Sequence, residues 1–277
     1  MTEKEKEQTH FGYETIDSEE KEGRVGAVFD SVAGKYDLMN DVMSAGIHRA
    51  WKNWYVWQTG VKPGEAVLDL AAGTGDITLR LAKRMRGKGA GADIEGRLVS
   101  SDINAAMLKI GEERLHNKGW LKNLEFVIAN AEALPFADNS FDLITMAFGL
   151  RNVTHQDKAL AEMARVLKPG GRVLVLEFSR PKNAVINRFY DWYSFTFLPK
   201  MGAFIAKDAD SYQYLAESIR MHPPQEELKA MFAAAGLVDC EYQNLSNGIV
   251  AIHKGQNPML ENYLDARLLV EQLINGA

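Results

Sequence analysis

The stretch 67-VLDLAAGTGD-76 decides the fold. Val67, Leu68 and Leu70 make a short apolar strand that runs into a bend containing Gly73 and Gly75. The next segment, ITLRLAKRM, has helical spacing. Small residues at such a bend let the backbone approach a ligand closely, and the helix start offers unpaired N–H groups. A dinucleotide fingerprint, G-x-G-x-x-G, would need Gly or Ala where Thr78 stands. The acid of this segment, Asp69, precedes the bend. Asp69, Gly73, Thr74 and Gly75 therefore suit a nucleoside carrying an amino acid better than a pyrophosphate.

Outward from this bend, strand and helix alternate. RLVSSDI is a second strand, NAAMLKIGEERLHNKG a helix ended by Gly119, LEFVIANA and FDLITMAF two more strands. HQDKALAEMARVL is a helix stopped by Lys168-Pro169-Gly170-Gly171, and RVLVLEFS a further strand. This alternation predicts a mostly parallel sheet with helices on both faces. PPQEELKAMFAAAG is a helix, and VDCEYQNLSNGIVAIHKG a hairpin turning at Asn247-Gly248. The expected fold is α/β and Rossmann-like, with a seven-stranded sheet finished by an antiparallel C-terminal hairpin. Residues 1–24 are charged, without apolar periodicity, and read as a flexible lead-in. Residues 25–58 read as a helical cap, with Val25, Val28, Phe29, Val32 and Tyr36 three or four apart. The nucleoside-binding catalytic domain spans 59–254 and carries an aromatic-rich insertion at 181–222. Residues 255–277 form an amphipathic tail.

Two further features complete a nucleoside site. Asp102 ends the second strand, where a carboxylate accepts from both ribose hydroxyls. Asp93, in the insert GKGAGADIEG, is the rival, but an apolar strand leads to Asp102 and not to Asp93. After the third strand, Asn130 and the backbone of Ala131 are placed for the adenine edge, with Met107, Leu108 or Leu134 over its faces.

Composition narrows the partners. The 277 residues are 46% hydrophobic and 25% charged with a net charge of -5, which disfavours a nucleic-acid partner. The single cysteine, Cys240, permits no intrachain disulfide and reads as a small buried residue. No apolar run of about eighteen residues is present, and the N-terminus lacks the marks of a secretion or transit signal. A cytoplasmic protein is expected, meeting a membrane, if at all, from its inner surface.

Longer motifs carry a family resemblance. The segment 36-YDLMNDVMSAGIHRAW-51 fits the pattern Y-D-x-M-N-x-x-hydrophobic-S-x-x-x-H-x-x-W at every fixed position. A second match is 165-RVLKPGGRVLVLEFS-179, and FGLRNV and DADSYQYLAESI add to it. Over roughly residues 9 to 254 the chain resembles the ubiquinone/menaquinone biosynthesis C-methyltransferase family, the UbiE type of class I methyltransferase. The resemblance implies S-adenosyl-L-methionine as cofactor, held through Thr74, Asp102, Asn130 and Ala131. It implies C-methylation of a lipid-tailed quinol, either a demethylmenaquinol or a polyprenyl-methoxy-benzoquinol. One family position, often serine, is Ala147 here, so a hydroxyl contact is lost.

Ring-carbon methylation needs a deprotonated hydroxyl beside that carbon, hence a base or a cation near the developing phenolate. No metal is required. The candidates are Arg151 and Asn152 after the fourth strand, His48, and Tyr36 with Asp37 at a cofactor lid. The aromatics of 189–197 are candidates for a tail channel. Rival readings are methylation of another small lipid or phenol, or a non-catalytic cofactor-binding scaffold in a biosynthetic assembly. Homo-oligomer and biosynthetic complex both stay open.

Overall fold

The structure is a computed structural model, described here for residues 7–33, 39–41, 44, 46–88, 93–183, 188 and 209–259. A seven-stranded sheet organises it. In chain order the first elements are a two-stranded antiparallel hairpin, β1 (Gln8–Phe11) and β2 (Glu14–Asp17), then α1 (Ser18–Val32) and α2 (His48–Gln58). There follow β3 (Ala66–Leu70), α3 (Asp76–Arg84), β4 (Arg97–Asp102), α4 (Ala105–His116), β5 (Leu124–Ile128) and β6 (Phe141–Ala147). The chain continues with α5 (Gln156–Val166), β7 (Leu167–Phe178), α6 (Ala209–Met221), α7 (Gln225–Ala234), β8 (Val238–Leu245) and β9 (Val250–Gln256).

The large sheet has the order β5-β4-β3-β6-β7-β9-β8. Its first five strands are parallel, and β9 runs antiparallel to both β7 and β8. Central strands of such sheets are covered on both faces and must be apolar throughout. Val67, Leu68, Ile144, Val173 and Val175 are accordingly fully buried. On one face Trp51 and Tyr55 of α2 and Leu81 of α3 pack on Leu98, Leu143 and Leu174. On the other, Leu160 and Met163 of α5 and Phe232 of α7 pack on Leu68, Ile144 and Val175.

The register brings the site to one edge. Leu70 pairs with Met146 and with Ser101, and Asp102 with Ile128, so the C-terminal ends of β3, β4, β5 and β6 lie together. Strand order reverses between β3 and β6, and ligands of doubly wound sheets bind outside that point.

The structure departs from the sequence reading at two places. Residues 8–24, read as a lead-in, form the hairpin and the first half of α1. Strands of four residues are too short to show a period. The first turns of α1 carry Glu19, Glu20 and Glu22 instead of an apolar stripe, while Lys21 is buried and donates to the carbonyl of Val153 (3.2 Å). The Lys168-Pro169-Gly170-Gly171 stop lies inside β7. Leu167 pairs with Phe141 and Arg172 with Leu143, so the four residues between them bulge opposite Asp142. The tail beyond residue 259 and most of the aromatic insertion lie outside the described residues.

Candidate active site

The glycine bend is held from beneath. Asp69 is fully buried, accepting from the Thr78 hydroxyl (2.6 Å) and the Thr145 hydroxyl (2.7 Å). Burial pushes its carboxyl up to about 6, against the pull of those two hydroxyls. Gly75 caps α3 with φ 74°. A side chain there would meet Leu115 at 2.7 Å and the Cα of Gly111 at 3.2 Å. Gly111 is needed in turn, since a Cβ on it would stand 2.9 Å from the Gly73 carbonyl. Thr74 is buried and its hydroxyl accepts from Arg114 (3.3 Å). Asp69, Thr74 and Gly75 thus shape the bend from behind, buried beneath the cleft that Gly73 lines.

Gly73 and Asp102 do line that cleft, together with Asn130, Ala131 and Asn152. The cleft spans about 890 Å³, counting space open to solvent. Asp102 accepts from the Gly73 N–H (2.7 Å) and the Asn104 N–H (2.8 Å). Burial raises its carboxyl above the usual carboxylate range, and the backbone donors of Asn104, Gly73 and Ile103 pull it back in part. Asp93, the rival acid, instead pairs with Lys122 at 3.3 Å. Asn104 caps α4 by accepting from the Met107 N–H (2.9 Å), and Met107 and Ile103 add apolar wall. Leu108 and Leu134 are buried elsewhere in the core.

Helix α1 roofs the cleft with Glu22, Val25, Gly26 and Phe29. Two hydrogen bonds tie it down, Asn130 Nδ2 to Glu22 (3.1 Å) and Asn104 Nδ2 to Asp30 (2.7 Å). The Asn130 carbonyl oxygen accepts from the Glu132 N–H (2.9 Å), so that amide spans roof and loop. Ala71 (φ 50°) and Phe148 (φ 59°) turn through the left-handed region at the ends of β3 and β6. Such backbone is disfavoured for side-chain-bearing residues and clusters at functional sites. Ala147, where the family often has serine, lines the cleft as well.

Phe29 and Phe148 also border a second, narrower chamber. Its wall is apolar at Val28, Val32, Met39, Phe178 and Leu215 and polar at His48, Lys52, Arg151 and Tyr214. Helix α2 positions His48: Tyr55 is fully buried and its hydroxyl donates to the Leu174 carbonyl (2.7 Å), while the Trp51 indole donates to the Ser246 hydroxyl (2.9 Å). The Ser44 hydroxyl donates to the Asn40 carbonyl (2.7 Å) and accepts from the His48 N–H (3.3 Å). Asn40, Ser44 and His48, three fixed positions of the 36–51 motif, are thus linked through the Ser44 hydroxyl. Arg151 forms a buried ion pair with Glu177 (2.8 Å), and its Nε has no hydrogen-bond partner among the described residues. Asn152 Oδ1 accepts from the Tyr214 hydroxyl (3.0 Å), which burial pushes up to about 12. Tyr36 and Asp37 lie outside the described residues. No cluster of metal-ligating side chains occurs among the described residues.

The site roles of Phe29, Phe148, Gly111, Glu22 and Asp41 escaped the sequence reading, in which Phe29 figures only in a helical apolar pattern and Phe148 and Asp41 only inside longer motifs.

Residues 17–257 match the model of the ubiE/COQ5 methyltransferase family. This chain belongs to that family. A Teredinibacter turnerae protein named ubiquinone/menaquinone biosynthesis C-methyltransferase UbiE is 58% identical over 89% of this chain and 96% of its own. An Edwardsiella ictaluri protein of the same name is 58% identical over 92% and 99%. Solved structures share the fold: a methyltransferase from Haloferax volcanii in complex with its Trm112 activator has TM-score 0.58 at 19% identity, covering 83% of this chain and 97% of that one. A Haemonchus contortus phosphoethanolamine N-methyltransferase in complex with S-adenosyl-L-methionine has TM-score 0.56 at 16% identity, covering 76% and 53%. As a member of the ubiE/COQ5 family the chain is an S-adenosylmethionine-dependent C-methyltransferase. The donor set fits that cofactor: a half-buried carboxylate at the end of β4, a close-packed glycine bend, and apolar walls between them.

Proposed function

We propose that the chain methylates a ring carbon of a lipid-tailed quinol, a demethylmenaquinol, a polyprenyl-methoxy-benzoquinol, or both. The observation that carries this reading is the pair of chambers with a common wall at Phe29 and Phe148. One has the chemistry of a nucleoside site. The other is apolar, with ionisable groups along one side.

When bound, S-adenosylmethionine supplies a methyl group made electrophilic by its positively charged sulfur. Asp102 would hold the ribose hydroxyls, Ala131 the adenine edge, and the bend from Ala71 to Gly73 the amino-acid end. The roof helix and the two phenylalanines exclude water, which strengthens every charge interaction inside. Arg151 brings a positive charge to the second chamber, moderated by Glu177, where it would stabilise phenolate character in the acceptor ring. Asn152 borders the first cleft and orients Tyr214 of the second. The quinol is the reactive form because the quinone has no hydroxyl proton to lose.

A quinol with an isoprenoid tail lives in a bilayer. Among the described residues no helix is long and apolar enough to cross one. Trp54 and Trp57 stack at 4.7 Å on the outer face of α2, 41% and 54% exposed, and tryptophan favours the membrane interface. Their exposure supports a peripheral contact.

The test incubates the purified chain with methyl-labelled cofactor and each reduced quinol, then locates the label by mass spectrometry. Label on a ring carbon is expected. Label on oxygen, or none with either quinol, would overturn the reading.

A further inference from the structure

We propose that His48 accepts the hydroxyl proton of the acceptor ring through Nδ1, and that Asp41 is the positioning residue that holds His48 ready for it. This rests on the ring-methylation reading above. His48 Nε2 lies 2.8 Å from Asp41 Oδ1. A carboxylate can only accept, so the neutral imidazole carries its hydrogen on Nε2 and its lone pair on Nδ1. That Nδ1 is buried and has no hydrogen-bond partner among the described residues. His48 itself lines the second chamber. Buried polar atoms are nearly always paired, and an unpaired one needs an explanation. An incoming ring hydroxyl supplies one.

The other chamber residues cannot do this work. Arg151 is a guanidinium, which offers donors and no acceptor, and its Nη1 is held by Glu177. Burial makes the Tyr214 phenol a weaker acid, and its proton is directed at Asn152. Lys52 is an ammonium paired with Asp76 at 3.0 Å. Asp41 is also bonded by Arg49 (2.9 and 2.6 Å), and Arg49 together with His48 holds its carboxyl down to about 2, so it is ionised wherever the histidine titrates. Burial lowers the His48 pKa, Lys52 and Arg49 lower it further, and Asp41 raises it. Arg151 and Tyr214 face the same chamber.

The step balances. The ring hydroxyl gives its proton to Nδ1, and its electron pair spreads to the neighbouring ring carbon. That carbon forms the new C–C bond to the methyl group as the C–S bond breaks, leaving a neutral thioether. The ring carbon then loses its hydrogen to solvent as a proton, while the imidazolium returns its proton to the oxygen. One proton is released overall.

The test uses the full chain, a short-tailed demethylmenaquinol and a short-tailed methoxy-benzoquinol, both chemically reduced. His48→Gln is expected to lose roughly 100- to 10,000-fold in kcat while S-adenosylmethionine affinity, read by calorimetry, stays within about twofold. Asp41→Asn is expected to lose roughly tenfold and to move the acid limb of kcat/KM to lower pH, because it removes what raises the imidazole pKa. Arg49→Ala keeps the dyad and removes a charge that lowers the imidazole pKa, so it is expected to move the limb to higher pH, opposite to Asp41→Asn. Turnover of His48→Gln near wild type, or an unmoved limb in Asp41→Asn, would overturn the proposal. A wild-type chain inert on both quinols would sink the substrate reading instead. The dyad is then decided by nitrogen NMR of labelled histidine: an Nε2–H tautomer that is lost in Asp41→Asn supports it, and an Nδ1–H tautomer refutes it.

Discussion

Asp102 joins structure to function at a single carboxylate. Its two oxygens already accept from Gly73 and Asn104, so the group both fixes the bend and faces the cleft. Replacing it with asparagine keeps the shape but puts donors where acceptors are needed, next to the Gly73 N–H. A hydrogen bond to a charged group is worth about 1.5–3 kcal/mol, so Asp102→Asn is expected to weaken cofactor binding roughly 10- to 100-fold. Calorimetry on the folded variant reads this directly, and unchanged affinity would remove Asp102 from the site. Asp69 has the same functional group and a different part. It is enclosed by two threonines and the sheet, so its chemistry is structural. What separates the two acids is depth in the sheet: Asp69 pairs with Ser100 inside β3, whereas Asp102 is the last residue of β4, at the edge where the cleft opens.

Helix α1 shows how far elements were legible and where legibility ended. The central strands and their helices follow from apolar runs broken by Gly and Pro, and the Asn247-Gly248 turn marks the last hairpin. Within the 36–51 motif Ser44 also carries its meaning locally, since its hydroxyl links the Asn40 carbonyl to the His48 N–H. The hairpin and the first turns of α1 do not, because their stabilising contacts are distant. Phe11 stacks on Tyr214 at 4.2 Å, and Glu22 reaches Asn130. Within α1, Gly26 faces the cleft, and a Cβ built on it meets nothing within 4 Å. Glycine inside a helix forfeits about 1 kcal/mol relative to a good helix former, so the empty position has a use beyond the fold. Gly26→Leu is expected to raise thermal stability by about that amount while lowering cofactor affinity more than tenfold, because the side chain fills the cleft under the roof. Opposite signs in a melting curve and a binding isotherm would identify Gly26 as ligand space. Loss of both would mark it as packing.

At the scale of the whole molecule, the two faces of the sheet bury ionisable groups of opposite tendency, and these set how the fold responds to acid. Asp69, pushed up to about 6, is penalised as an anion. Its folded pKa lies above the unfolded value of about 3.9, so the fold gains stability as pH falls through that window and loses it as pH rises. His222 behaves oppositely. Its two ring nitrogens are buried without partners among the described residues, and burial with the nearby Arg151 charge pushes its pKa down to about 3. It is neutral in the fold, whereas the unfolded chain takes up a proton below about 6.5. Stability is therefore lost as pH falls below that point. His253, lowered to about 4 mainly by burial, adds to the loss. Asp102 is raised like Asp69, and His48 and His10 are lowered like these two histidines, so the histidines outweigh the aspartates and net acid destabilisation is expected below about pH 6. The variant His222→Phe keeps an aromatic ring and removes the protonation. At about pH 4.5 it is expected to stand 2–3 kcal/mol closer to its neutral-pH stability than wild type does, at about 1.4 kcal/mol per pH unit. Asp69→Asn should do the reverse and steepen the loss. Urea unfolding at pH 7.5 and 4.5 checks both, and parallel curves for wild type and His222→Phe would mean that His222 is already solvated or paired in the fold.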